Sequence, residues 1–188
     1  MTSIGPYSQS YNFTHMYDIP DRRGKLPLKT TLNNSLLDII NSHPDFTIFN
    51  YMVKLGKMEG ILNSDQANFT IFIPSDKYLT RQYPQSLFVN MDLATARHII
   101  KSSMINRRIS SEILKDSPSS FFYTFDDDYA SNRLYVINIS GVTYLDNGMP
   151  HTKSKYPYDK QIQVLQMDIE AVNGIIHVID GLVCPTIL

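Results

Sequence analysis

The run Gly174-Ile175-Ile176-His177-Val178-Ile179-Asp180-Gly181-Leu182-Val183 constrains the fold of this chain most. Read as a strand, it turns Ile175, His177 and Ile179 to one face and Ile176, Val178 and Asp180 to the other. Both faces are then mostly apolar, so both need cover, and the segment is a central strand. The preceding Asn173-Gly174 reads as a tight turn into it. His177 and Asp180 interrupt the run, and it is far too short to span a bilayer.

A second run, Phe69-Thr70-Ile71-Phe72-Ile73, has the β-branched and aromatic character of a buried strand and is stopped by Pro74. Ser75 or Asp76 can then satisfy the open N–H groups of a short helix through Leu79, which makes a strand-to-helix corner. Upstream, Ser35 and Asp38 are spaced as a capping box for a helix carrying Leu36, Leu37, Ile39 and Ile40. Phe46, Phe49, Met52 and Val53 follow with helical spacing, and Gly56 is placed to end that helix in a left-handed conformation. Asp92 caps a longer helix with Leu93, Ala96, Ile99, Ile100 and Met104 on one side. Everything afterward reads as β structure, with strands at 121–125, 134–139, 142–145, 162–168 and 175–183. Helices first and strands later indicate an α+β domain.

Residues 1–33 differ from the rest. They lack periodicity and carry turn formers, an excess of two positive charges, and four aromatics, Tyr7, Tyr11, Phe13 and Tyr17. This is an extended N-terminal arm, and residues 34–188 form the domain. No apolar core of a signal peptide is visible in the arm, so synthesis in the cytoplasm is expected. The chain has 188 residues, 43% hydrophobic and 19% charged, which is enough for an independent core. Its net charge of -1 gives no basic field for nucleic acid. Cys184, the one cysteine, excludes an intramolecular disulfide and a Cys-rich zinc site.

The stretches Phe69–Leu79 and Asn173–Asp180 resemble the two signature boxes of the fasciclin family. The first box is of the type T-x-F-x-P-T/S-D. The second is of the type N-G-x-I-H-x-I-D with a hydrophobic run and a proline after it, here Gly181–Cys184 and Pro185. The resemblance spans residues 34–186 and implies a fasciclin-like fold, a β-sandwich or wedge of about seven strands with helices on one side. It marks Thr70, Phe72, Pro74, Ser75, Asp76, Asn173, Gly174, His177 and Asp180 as structural signature residues. Fasciclin domains usually carry a Tyr-His pair at the end of the long helix, in a region linked with integrin adhesion in animal members. Ser102 and Ser103 stand there in this chain, which speaks against integrin-type adhesion.

Chemistry is hard to find. His177 and Asp180 lie three apart on a strand and point to opposite faces, so they do not form a catalytic pair, and His177 is expected to be buried and hydrogen-bonded. Neither Ser103 nor Cys184 sits in a nucleophile elbow. Asp126-Asp127-Asp128 lacks calcium-loop spacing and reads as a solvated turn. His15, His43, His98 and His151 lack metal-ligand spacing, and Gly56 and Gly60 form no phosphate loop. Arg22, Arg23 and Lys25, like Arg107 and Arg108, read as solvated surface. Glycosylation sequons occur at Asn12, Asn33, Asn68 and Asn138.

No catalytic residue, cofactor or metal is therefore expected. The expectation is a non-enzymatic structural module, a building block of a larger assembly that contacts other proteins through the arm and the domain surface. A family known mainly from secreted proteins, here without signal or disulfide, fits a minor capsid protein of a large virus particle. The alternative is a secreted or cell-surface fasciclin-type adhesion protein.

Overall fold

The computed structural model describes residues 33–116, 120–126, 132–146 and 161–183. Tyr7, Tyr11, Phe13 and Tyr17 of the expected arm lie outside the described residues, as do Asn12, His15, Asp127, Asp128, His151, Cys184 and Pro185. In chain order the elements are α1 (Leu36–Ser42), α2 (Thr47–Leu55), α3 (Glu59–Leu62), β1 (Phe69–Pro74), α4 (Asp76–Gln82), α5 (Gln85–Val89) and α6 (Leu93–Ser102). They continue with β2 (Met104–Ile105), α7 (Ser111–Lys115), β3 (Ser120–Tyr123), β4 (Arg133–Ile139), β5 (Val142–Asp146), β6 (Ile162–Ala171) and β7 (Gly174–Ile179).

The seven strands form one sheet in the order β2-β1-β7-β6-β5-β4-β3. β1 and β7 run parallel, with Phe72 opposite His177 and Pro74 opposite Ile179, and the other neighbours are antiparallel. The sheet curls until its ends nearly meet, through a bridge between Ile105 and Thr124 and a bond from the Phe125 N–H to the Met104 carbonyl (3.0 Å). Every residue of β1 and β7 is buried, because both faces of this pair are covered. Phe72 and Ile179 enter an apolar cluster with Ile109, Leu114, Leu134, Val136, Leu145 and Val164. Gly174 and Ile176 face the other way, toward α1. The α+β reading therefore holds, with helices before and beside a seven-stranded sheet.

Several details differ from expectation for local reasons. Residues 111–115 are helical, although the sequence after Met104 reads as β throughout. Gly56 has φ −74° and is not left-handed; it is small because Arg97 of α6 packs over it, and a Cβ there would come within 3.1 Å of the Met52 carbonyl. The left-handed residue is Lys57, at φ 54°. The turn into β7 is Val172-Asn173, since Ala171 pairs with Gly174. Ser140 and Gly141, both at positive φ, turn β4 into β5. No helix among the described residues is long and apolar enough to cross a membrane.

Gly174 is required for space. A Cβ at this position would lie 2.5 Å from the Phe69 carbonyl and 2.6 Å from Leu36 Cδ1. Gly174→Ala must push β1 or α1 away from β7, and we expect a loss of about 1 to 3 kcal/mol in urea unfolding. Unchanged stability would mean that β1, α1 and β7 do not meet as described.

Candidate functional site

The signature residues converge around β1, β7 and the chain ends that meet them. Asn173 is buried, and its amide is fully used. Oδ1 accepts from the Leu36 N–H (2.8 Å), and Nδ2 donates to the carbonyls of Leu62 (3.0 Å) and Ser64 (2.9 Å). Ser35 opens α1 with the expected capping box, accepting from the Asp38 N–H (3.1 Å), and its hydroxyl also donates to Asn63 Oδ1 (3.1 Å). Two helical termini are thereby tied to the head of β7.

Asp76 corrects an expectation. It begins α4, yet its carboxylate caps α2: Oδ2 accepts from the Thr47 N–H (2.8 Å) and the Thr47 hydroxyl, and Oδ1 accepts from the Ile48 N–H (2.9 Å). Neither Phe46, at the N-cap of α2, nor Ser75, at the N-cap of α4, makes a side-chain cap of its own. Ser75 is buried, and its N–H extends the β1–β7 pairing by donating to the Ile179 carbonyl (3.2 Å). Pro74 lacks an N–H and closes the strand just before it.

Thr70 and His177 hold the segment between β2 and α7. The Thr70 hydroxyl donates to the Arg107 carbonyl (2.6 Å) and accepts from the Ile109 N–H (2.8 Å). His177 Nε2 lies 2.7 Å from the Ile109 carbonyl, which can only accept, and Nδ1 accepts from the Asp168 N–H at 3.2 Å. These partners fix the neutral tautomer with its proton on Nε2. The ring is fully buried and stacks on Phe72 at a centroid distance of 5.4 Å. Burial pushes its pKa down, and the bond to Ile109 and the nearby carboxylates of Asp168 and Glu170 offset this only in part.

Asp168 sits at φ 61° within β6, where the pairing to β7 shifts register. That twist aims Oδ1 at the Ser111 N–H (2.8 Å), so a strand residue caps α7. Burial raises the Asp168 carboxyl, but the bonds from Ser111 together with the nearby His177 and Lys115 leave its pKa below the usual value. The other end of α7 is held by Asn138, whose Nδ2 donates to the Leu114 carbonyl (2.9 Å). The sequon amide at Asn138 is thus part of the fold, whereas Asn33 and Asn68 are exposed.

Asp180 and His177 are not brought together. Asp180 Oδ1 accepts from the Gln163 N–H (2.7 Å), and burial raises its pKa. Asp126, expected in a solvated turn, is buried: Oδ2 accepts from the Ser102 hydroxyl (3.0 Å), and Oδ1 lies 3.1 Å from His98 Nδ1. It belongs to the core because the backbone of Phe125 is tied to the end of α6, with its N–H on the carbonyls of Lys101 and Met104. Ser103 is also buried, its hydroxyl donating to the Ile99 carbonyl (2.9 Å). Arg108 lies half-exposed at the surface, where it is engaged with Glu170 and the Ala171 carbonyl (3.2 Å). Among the described residues, no three His, Cys, Asp or Glu side chains gather as a metal site.

A family model described as the fasciclin domain matches residues 44–185. The chain belongs to the fasciclin family. Among solved structures, it is similar to a FAS1 domain pair from the insect cell adhesion molecule Fasciclin I, with a TM-score of 0.58 and 22% identity. The match covers 80% of this chain and 51% of that one, so this chain spans about half the length of that structure. No curated protein matches at a significant level.

In this fasciclin domain, sequence reasoning missed the cross-capping by Asp76 and Asp168 and the burial of Asp126. A bare Asp gives no signal of which distant helix it serves. The family's Tyr-His position holds Ser102 and Ser103, and both hydroxyls turn back to α6 carbonyls four residues earlier.

The folded pKa of His177 lies below its ordinary 6.5, so between the two values the unfolded chain binds more proton. Stability should be full above pH 6.5 and fall as the pH drops through and below it, by up to about 1.4 kcal/mol per pH unit. Asp180, with a raised pKa, acts with the opposite sign, so the histidine contribution is isolated by comparison with His177→Gln. That variant should be destabilised at pH 7.5 by roughly 1 to 3 kcal/mol and show a flatter decline between about pH 6.5 and 5. Identical pH profiles for the two proteins in urea unfolding would remove His177 from this role.

Proposed function

We propose that this chain is a non-enzymatic protein–protein interaction module, a building block of a larger assembly. The observation that carries this reading is how the histidine, the carboxylates and the amide around β1 and β7 spend their hydrogen bonds. The ring of His177, the carboxylates of Asp76, Asp168 and Asp180 and the amide of Asn173 all bond backbone groups of their own domain. A histidine held neutral by two backbone partners has no nitrogen left for proton transfer to a substrate. Side chains that would serve an enzyme serve here as clamps, and this supports a rigid scaffold that works through its surface.

Within that reading, the N-terminal segment is the partner-binding arm, with Tyr7, Tyr11, Phe13 and Tyr17 as its apolar contacts. Such a segment offsets its ordering entropy by burying aromatics on a neighbour. A minor structural protein of a large virus particle is the setting proposed for it. The second reading, a secreted or cell-surface adhesion protein, is favoured by the likeness to the insect cell adhesion molecule. Against its integrin-binding form stand the buried Ser102 and Ser103.

Deleting residues 1–30 separates the two. The truncated chain should keep its melting temperature within a few degrees, since the periodic apolar segments begin near Ser35, and its incorporation into the parent assembly should fall sharply. Normal assembly without the arm would move the partner contact to the folded surface. Loss of folding would assign the arm to the core. A turnover assay with ester, peptide and glycoside panels should give no activity; turnover abolished by His177→Gln in a folded protein would end the non-enzymatic reading.

A further inference from the structure

The turn into β7 joins two groups that react with each other in a free chain. In an Asn-Gly pair, the glycine nitrogen meets no side chain on its way to the asparagine side-chain carbonyl carbon. A bond forms from the Gly174 nitrogen to Asn173 Cγ, the Cγ–Nδ2 bond breaks, and the amide leaves as ammonia with the proton that the backbone nitrogen loses. Water then opens the cyclic imide at one carbonyl or the other, leaving an aspartyl or an isoaspartyl residue. The chain has two such pairs, Asn147-Gly148 and Asn173-Gly174.

In the fold, this step is blocked at both reacting atoms. Asn173 is 2% exposed. Its Oδ1 accepts from the Leu36 N–H (2.8 Å) and Nδ2 donates to the Leu62 and Ser64 carbonyls (3.0 and 2.9 Å), so the side chain cannot swing onto the backbone without breaking these bonds. The peptide between the two residues is held as well. The Asn173 carbonyl accepts from the Phe69 N–H (3.3 Å), and Gly174 is in register with Ala171 of β6 and Phe69 of β1. Attack requires that peptide to turn toward Cγ, which would break the head of the β1–β7 pairing.

The product does not fit the place it leaves. An aspartate at 173 has no N–H to donate, so the Leu62 and Ser64 carbonyls would face a carboxylate instead of an amide. An isoaspartyl residue adds a methylene to the main chain inside the turn between Ala171 and Gly174, and so moves β7 out of register with its neighbours.

We infer that Asn173 is a modification site gated by folding: inert in the native domain, open to deamidation whenever β7 is free, and in its modified form a bar to refolding. The chain ages at this residue only while unfolded, and irreversibly. The inference is independent of what the module binds.

The full chain, held at mildly alkaline pH with and without guanidinium chloride, tests this when both Asn-Gly peptides are followed by mass for the gain of one dalton. In denaturant the two peptides should convert at similar rates, so Asn147 calibrates the chemistry. In the native protein Asn173 should convert at least about a hundredfold more slowly, since reaction waits on the opening of α1, β1 and β7. After partly converted chains are diluted from denaturant, the refolded fraction should hold Asn173 intact and the misfolded fraction its product. Asn173→Asp, made directly, should fail to fold or melt well below the parent chain. Equal rates at Asn173 with and without denaturant overturn the inference. Product that refolds in the same share as intact chain overturns it too, as does an Asn173→Asp domain of undiminished stability.

Discussion

The Asn173 amide satisfies one backbone N–H and two backbone carbonyls that are otherwise buried, and it does so from the turn where β6 becomes β7. Its three partners lie 137, 111 and 109 residues away. Without it, the start of α1 and the end of α3 would each hold unpaired polar groups against the sheet, at about 1 to 3 kcal/mol per group. Gly174, immediately after, lets α1 and β1 approach β7 without a side chain between them. Placement of the helical N-terminal third against the strand pair depends on these two adjacent residues.

The same device recurs elsewhere. Helices of four to ten residues are marginal alone, since nucleation is costly and few turns repay it. Here α2 is capped by Asp76 from the next strand-to-helix corner, and α7 is gripped by Asp168 at one end and Asn138 at the other. Tertiary bonds thus stabilise local structure that its own residues do not specify. This couples the helices to the sheet, and it explains why His177, which holds both Ile109 and Asp168, sits at the junction of several elements.

What was legible in the sequence follows from this. β1 and β7 were visible because each is a run of apolar, mostly β-branched or aromatic residues with a breaker at its end, and a doubly covered strand leaves that mark directly. The capping box of α1 was visible because both partners lie within four residues. Helix α7 was not, since Ser-Glu-Ile-Leu-Lys is too short to show a period and its caps come from residues 24 and 57 positions away. Asp126 read as solvent-facing for the same reason: the neighbours that bury it, Ser102 and His98, belong to another element. At Gly56 the sequence offered a small residue, and only the packing of Arg97 told close approach from a left-handed turn.

The parallel pairing of β1 with β7 has a kinetic side. Phe69 sits opposite Gly174, so the fully buried strand β1 waits for its parallel partner, made 105 residues later. Until then, five consecutive apolar-rich residues and an open strand edge are available to any other chain. Synthesis from the N-terminus therefore carries a sticky intermediate through most of the domain's translation, one that neither hairpin of the later strands relieves before β7 emerges. Growth at low temperature or with holdase chaperones should raise the yield of this domain far more than any change to its surface.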